Sequence, residues 1–265
     1  MSTLPQQNPI GRFTGLADCY AKNRPGYPAS AVDFIMQRCA LNFGSILVDI
    51  GCGTGISSRV FAERGVRVIG IEPNSEMREK AGAIAVPAHA SIPIYQDGRA
   101  EATGLPSDFA NAVVAAQAFH WFLPEEALRE FHRILKPGAW ALLLWNERDS
   151  VDRFTAMYGK AFCDIVPEAA AIELPRANGG YPLLTCPWFE NRQKLVFHNE
   201  QVLDEEGLLG RAFSASYAPR DPPRVATLTA ALRKLFAENQ KNGKVCLQYD
   251  TLLYLGRKLT IPQDE

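Results

Sequence analysis

Val48-Asp49-Ile50-Gly51-Cys52-Gly53-Thr54-Gly55 sets three glycines between an apolar, β-branched run and a segment of helical periodicity. The run, Ile46 to Ile50, reads as a buried parallel strand because it is short, apolar throughout and closed by glycine. Ile56 to Arg64 carries apolar residues at helical spacing and stops at Gly65, a natural C-cap. Glycine lets a ligand approach the backbone and accepts positive φ, and the following helix points its free N–H groups at whatever lies there. The loop therefore reads as a cradle for a nucleotide cofactor. Its spacing decides between cradles. A dinucleotide loop has the form G-x-G-x-x-G, and counting from Gly51 and Gly53 puts Ile56 where the third glycine belongs. A Walker A loop needs Gly-Lys-Ser/Thr, and no Lys follows these glycines. Asp49, on the strand before the turn, sits badly beside a pyrophosphate and suits a ligand with an amino group and a sulfonium charge.

Outward from the loop, strand and helix patterns alternate. Val66–Ile71 reads as a second strand, and Pro73-Asn74-Ser75 starts a helix with Met77 in its first turns. Ile92–Gln96 is a weak third strand whose Pro93 favours a strand start or an edge. Ala112–Ala116 is the fourth, Pro124–Leu135 a helix ended by Lys136-Pro137-Gly138, and Trp140–Trp145 the fifth strand. After Glu147 the pattern changes: Asp152–Val166, Asp204–Phe213 and Pro222–Asn239 read as helices, Phe189–Phe197 and Val245–Leu255 as strands. The expected fold is α/β: a Rossmann-like, doubly wound, mostly parallel seven-stranded sheet with helices on both faces. A small, mainly helical cap, residues 150–187 and 204–241, is expected over the site. Ligands on such sheets bind beyond the carboxyl ends of the strands, where every motif here falls.

Composition sets the outer bounds. The chain has 265 residues, 47% hydrophobic and 22% charged, with a net charge of −1. That charge offers no field for nucleic acid or an anionic membrane surface. No apolar run approaches the roughly 20 residues of a membrane span, and the polar start from Met1 to Pro9 lacks the features of a signal peptide. The six cysteines are scattered, without a C-x-x-C pair or a His at ligand spacing. Reduced thiols, a cytoplasmic location and no metal are the expectations.

The loop Val48–Gly55 resembles motif I of the class I S-adenosylmethionine-dependent methyltransferases, in which it wraps the methionine end of the cofactor. The resemblance implies S-adenosyl-L-methionine as cofactor and S-adenosyl-L-homocysteine as product. It places Gly51, Cys52, Gly53 and Gly55 in the cradle and has Asp49 orient the cofactor's amino group, directly or through water. Glu72 follows the second strand, about 20 residues past the glycines, where Rossmann-like sites put a ribose-binding acid; a carboxylate accepts from both hydroxyls at once. Met77 is a candidate cover for one adenine face. Gly98-Arg99-Ala100-Glu101 is similar to the family's G-x-A-E stretch beside the adenine, with Arg99 in a position often held by Asp. Arg99 cannot accept a hydrogen bond, which leaves backbone at Ala100 to read the adenine edge. Ala116–Phe122 lies where the fourth strand ends, and the resemblance makes Gln117 to His120 the floor between cofactor and acceptor. His120 is the candidate acceptor-lining and catalytic residue.

Phe13 to Pro28 resembles the F-x-x-x-A-x-x-Y-x-x-x-R-P-x-Y-P segment of a subgroup that includes the trans-aconitate methyltransferases. The A-Q-A-x-H-W-F loop and Tyr249-Asp250-Thr251-Leu252-Leu253-Tyr254 are similar to further segments of that subgroup. This similarity implies that Tyr20 and Arg24 close over the cofactor. One continuous domain is expected, with residues 1–40 a lid segment, 41–147 the cofactor-binding core, and 148–265 the cap plus the last two strands. The expected reaction is methyl transfer to a small-molecule acceptor, on oxygen and with a carboxylate as one candidate group, which Arg24, Arg148 or Arg211 would pair. Carbon or nitrogen methylation, a non-catalytic S-adenosylmethionine-binding protein and a nicotinamide oxidoreductase are the competing readings.

Overall fold

A computed structural model describes residue 15, residues 17–167 and residues 179–260. Phe13, Thr14, residue 16 and residues 168–178 of the expected cap lie outside the described residues.

The glycine loop leaves the middle of the sheet. Strand β1 (Ile46–Ile50) pairs in parallel with β2 (Arg67–Ile71) on one side and β4 (Ala110–Ala116) on the other, with Asp49 level with Gly70 and Val114. Beyond β2 lies β3 (Ile94–Gln96), an edge strand that begins directly after Pro93. On the far side β5 (Leu135–Arg148) runs parallel to β4, and β7 (Val245–Lys258) and β6 (Phe189–Leu203) complete the sheet in antiparallel fashion. The order is β3-β2-β1-β4-β5-β7-β6, the seven-stranded, mostly parallel sheet expected from the sequence.

Alternation along β1 explains why its residues are nearly all apolar. Val48 and Ile50 face one core with Val113, Leu143, Phe131 and Trp145, and Leu47 faces the other with Val114, Leu142, Val32 and Phe61. Both faces are buried, so each fully buried aliphatic side chain contributes roughly 1.5–3 kcal/mol. Helices α1 (Ala17–Asn23), α2 (Ala29–Arg38), α3 (Ile56–Ala62), α4 (Ser75–Ala83) and α5 (Pro124–Ile134) belong to this first part of the chain. α3 stops two residues before the expected Arg64, and Gly65 turns the chain into β2 with φ +82°.

A third core lies apart from these two. Helices α6 (Arg153–Ile165), α8 (Glu205–Phe213) and α9 (Pro222–Asn239) pack Tyr158, Phe162, Leu208, Leu228 and Leu232 against Leu247 and Tyr249 at the start of β7. The short α7 (Tyr181–Thr185) instead joins the first core through Leu183. Each large cap helix starts on an aspartate whose side chain accepts a backbone N–H: Asp152 from Thr155, Asp204 from Gly207 and Asp221 from Arg224. Such caps contribute about 1 kcal/mol apiece.

Strand β6 extends past the expected Phe197 to Leu203, and β7 past Leu255 to Lys258. Their ladder is unbroken from Gln193 opposite Leu255 to Leu203 opposite Val245, so pairing carries polar residues such as His198 and Glu200 in the strand. Among the described residues no helix is long and apolar enough to cross a membrane.

Candidate active site

At the end of β1 the chain must turn sharply, and the turn is held by β2: Gly51 N and Cys52 N both donate to Ile71 O, at 2.8 and 3.2 Å. Gly51 has φ +67°, and a Cβ there would stand 2.7 Å from Ala118 Cβ and 3.0 Å from Phe122 Cζ. Only glycine meets both conditions, the backbone angle and the close approach of the β4 exit loop. Gly55 has φ +75° and would drive a Cβ into the Tyr95 hydroxyl.

Glu72 ties this loop to the next helix. Its Oε2 accepts from Gly53 N at 3.0 Å and its Oε1 from Asn74 N at 2.9 Å, while Asn74 caps α4 through Met77 N. Burial pushes the Glu72 carboxyl up, against the pull of the backbone donors at Asn74 and Gly53. Each oxygen keeps a further lone pair for a ligand. Glu72 is thus both a strut of the glycine loop and an available double acceptor.

Asp49 is fully buried behind the loop. Ser57 and Ser58, in the first turn of α3, donate to its Oδ2 at 2.6 Å each, and Oδ1 has no hydrogen-bond partner. Burial raises its pKa to about 6, with the serine hydrogen bonds opposing the rise. A buried acceptor left unmade is costly and points to a donor supplied from outside the chain.

A cavity of about 650 Å³ opens over these strand ends. Its wall includes Gly51, Cys52, Gly53, Glu72, Met77, Ala100 and Glu101 from the first half of the sheet. Gln117 adds to it from the β4 exit, and Tyr20 and Arg24 from the N-terminal segment. Asp49, Gly55 and His120, also expected at the site, do not line it. Asp49 stands behind Ser57, which does. Glu101 Oε1 accepts from Leu123 N at 2.9 Å, so the acid also braces the turn before α5.

His120, expected to line the acceptor side, stands off the cavity wall. A single 3-10 turn over Phe119–Trp121 sends successive side chains in different directions. Phe119 enters the core at 1% exposure, His120 turns to Trp145, whose Nε1 donates to its Nδ1 at 3.4 Å, and Trp121 faces the cavity.

Gln117, immediately before that turn, holds φ +57°, uncommon outside glycine. Its N donates to Leu144 O at 2.7 Å and its Nε2 to Asn146 O at 3.1 Å, which pins the strained residue to β5. Asn146 itself lines the cavity, accepts from Thr251 Oγ1 at 2.5 Å, and donates to Gly26 O at 2.9 Å. No sequence motif marks it; it is found only as the polar residue that links three distant segments.

The N-terminal segment closes the other side. Arg24 lies with its guanidinium 4.7 Å above the Tyr20 ring and donates to Ser214 O at 3.0 Å, while the Asn23 side chain rests against Gly210 of α8. The segment is therefore docked on the cap as well as on the sheet. Among the described residues, no group of three or more His, Cys, Asp or Glu side chains converges on a metal position.

The family described as "Methyltransferase domain" matches residues 48–143, from the glycine loop to β5. The chain is 30% identical over 227 residues to an uncharacterised methyltransferase of Mycobacterium tuberculosis, covering 85% of each chain. It is 34% identical over 141 residues to a methyltransferase-like protein of Schizosaccharomyces pombe, covering 51% of each. In fold it is similar to a provisionally named type II methyltransferase of Anaeromyxobacter dehalogenans, with TM-score 0.65 and 22% identity over 91% of this chain and 99% of that one. The [4+2]-cyclase SpnF is also similar in fold, at TM-score 0.51 and 18% identity over 94% of both chains. Identity sustained across 85% of both chains, on a seven-stranded sheet with a glycine turn at the end of its central strand, carries the conclusion: the chain belongs to the class I S-adenosylmethionine-dependent methyltransferases.

Proposed function

We propose that the chain methylates an oxygen of a small-molecule acceptor that is already anionic at neutral pH, a carboxylate. The observation that carries this is the make-up of the cavity wall. Among the described residues it contains no His, Asp or Lys. Glu72 is engaged by two backbone N–H groups and Glu101 by one. Burial pushes the Cys52 thiol and the Tyr27 phenol well above their ordinary ranges. A neutral hydroxyl or a carbon acid needs a base to take its proton, whereas a carboxylate needs none. The resemblance to trans-aconitate methyltransferases supports the same acceptor class.

The residues suit the cofactor. The open space beside Gly53 admits its chain, the lone pairs left on Glu72 suit a ribose diol, and the partnerless Asp49 Oδ1 suits a donor such as an amino group. When bound, S-adenosylmethionine supplies an activated methyl on a sulfonium. The protein's share is alignment of the acceptor oxygen, a contribution of up to about 7–11 kcal/mol, and exclusion of water by the docked N-terminal segment.

The test is a screen of small carboxylic acids with methyl-labelled S-adenosylmethionine, followed by treatment of the products with base. Methyl esters release labelled methanol under those conditions. Label that stays on the product after base overturns the reading in favour of nitrogen or carbon methylation.

A further inference from the structure

Arg211, near the end of α8, is only 7% exposed, yet it lines the cavity. Among the described residues its one side-chain hydrogen bond runs from Nε to Tyr249 Oη at 3.1 Å, with the guanidinium carbon 5.9 Å from the Tyr249 ring centre. No described carboxylate forms an ion pair with it. The buried Glu130 carboxylate, by contrast, is met by the more exposed Arg133 at 2.7 Å. The surroundings of Arg211 are phenols. Burial raises the Tyr158 phenol to about 12, so it supplies no negative charge at neutral pH.

A guanidinium does not deprotonate in a protein. A buried charge without a counter-ion is strongly unfavourable, and the usual remedy is an anion with bidentate geometry. Position tells which anion. Tyr249 stands level with Arg148 at the carboxyl end of β5, across β4 from the glycine loop and Glu72. The cationic side chain therefore faces the end of the cavity away from the cradle.

We infer that Arg211 is the specificity-determining residue of the acceptor site, holding the acceptor's anionic group through the two terminal amino groups that the Tyr249 contact leaves open. Tyr249 is a positioning residue: by accepting from Nε it fixes the plane of the fork. The inference rests on the carboxylate reading of the acceptor and adds the residue that selects it. The carboxylate of the cofactor's methionine end has the same chemistry, so the experiment separates the two.

Protein saturated with S-adenosylhomocysteine is titrated calorimetrically with benzoate and with its neutral isostere benzamide. The wild-type protein is expected to bind benzoate at least about tenfold more tightly than benzamide. Arg211→Met should abolish that preference, leaving benzamide affinity and S-adenosylhomocysteine affinity within about threefold of wild type. Tyr249→Phe should lower benzoate affinity severalfold and leave benzamide alone. Equal binding of the two probes by the wild type overturns the inference. So does a loss of S-adenosylhomocysteine affinity in Arg211→Met with methylthioadenosine affinity intact, since Arg211 would then serve the cofactor's carboxylate. If the Met variant does not fold, Arg211→Lys keeps the charge but not the fork, and benzoate affinity unchanged in it also overturns the inference. Base-stable methyl products in the labelling screen would remove the acceptor reading without altering this binding comparison.

Discussion

The wall of the cavity under β1 and β2 is held by backbone hydrogen bonds, whereas the wall under α8 is made of side chains. On the first side Gly51, Gly53 and the Glu72 carboxylate are fixed by bonds to Ile71 O, Gly53 N and Asn74 N, on strands buried in two cores. On the second side Arg211 projects from α8, whose packing belongs to a third core, while Tyr20 comes from α1 and Arg24 from the residue that follows it. A site made of backbone tolerates no change of shape. A site made of side chains can change its ligand while the sheet beneath it stays the same.

The largest break in that contrast should come from Gly51→Ala. An L-residue at φ +67° costs roughly 1–2 kcal/mol, and a Cβ 2.7 Å from Ala118 adds roughly 1–3 kcal/mol of overpacking. S-adenosylhomocysteine affinity should fall by more than about 100-fold in calorimetry, with a fall in melting temperature as well. Retained affinity would mean that the loop does not cradle the ligand. Glu72→Ala comes next. It strips acceptors from two backbone N–H groups, each hydrogen bond to a charged group contributing about 1.5–3 kcal/mol, and cofactor affinity should drop by about 10- to 100-fold.

The legibility of the sequence follows the same division. Strands β1, β2 and β4 and the glycine turn are local patterns, and the capping residues Asn74, Asp152, Asp204 and Asp221 stand in sequence where the helices begin. What sequence reasoning missed is non-local. Residues 198–203 are strand because β7 pairs with them, not because they are apolar. Asn146 gains its place only when Gly26, Thr251 and Asn199 arrive from elsewhere in the chain. Arg24, Arg148 and Arg211 are equivalent on paper, and burial without a carboxylate singles out Arg211.

Asp49→Asn sharpens the comparison by separating stability from binding on the backbone side. The folded protein holds the Asp49 proton more tightly than the unfolded chain does, with a pKa of about 6 against 3.8. Its contribution to stability is therefore fully present below about pH 4 and is lost as pH rises through 6, a change of about 3 kcal/mol. The wild-type melting temperature should carry that decline between pH 4 and 7, and the variant should lack it. Cofactor affinity should nevertheless fall in the variant, because an amide nitrogen at the Oδ1 position cannot accept. A binding loss without the flattened pH profile would show that Asp49 is not the group that titrates.

On the side-chain wall, Gly210→Ala tests whether α8 and the N-terminal segment act together. Alanine should favour an isolated helix by about 1 kcal/mol, but here its Cβ would run into the Asn23 side chain. The expected result is a melting temperature little changed and a cofactor affinity lower by about fivefold, as α1 is displaced.

The smallest effect should come from His120→Ala, the residue that sequence alone puts forward as catalytic. A base in the wall would give a pH–rate profile with a step near the ordinary imidazole range, and its removal would erase both the step and most of kcat. The 3-10 turn instead gives His120 to Trp145, at 3.4 Å and off the cavity wall. Loss of that acceptor leaves the buried indole N–H without its partner, a stability cost of about 1 kcal/mol at this long distance. kcat/KM should stay within about threefold of wild type, with an unchanged pH profile. A profile that loses a step in the variant would put a proton acceptor back at the site and end the case for an acceptor that arrives already ionised.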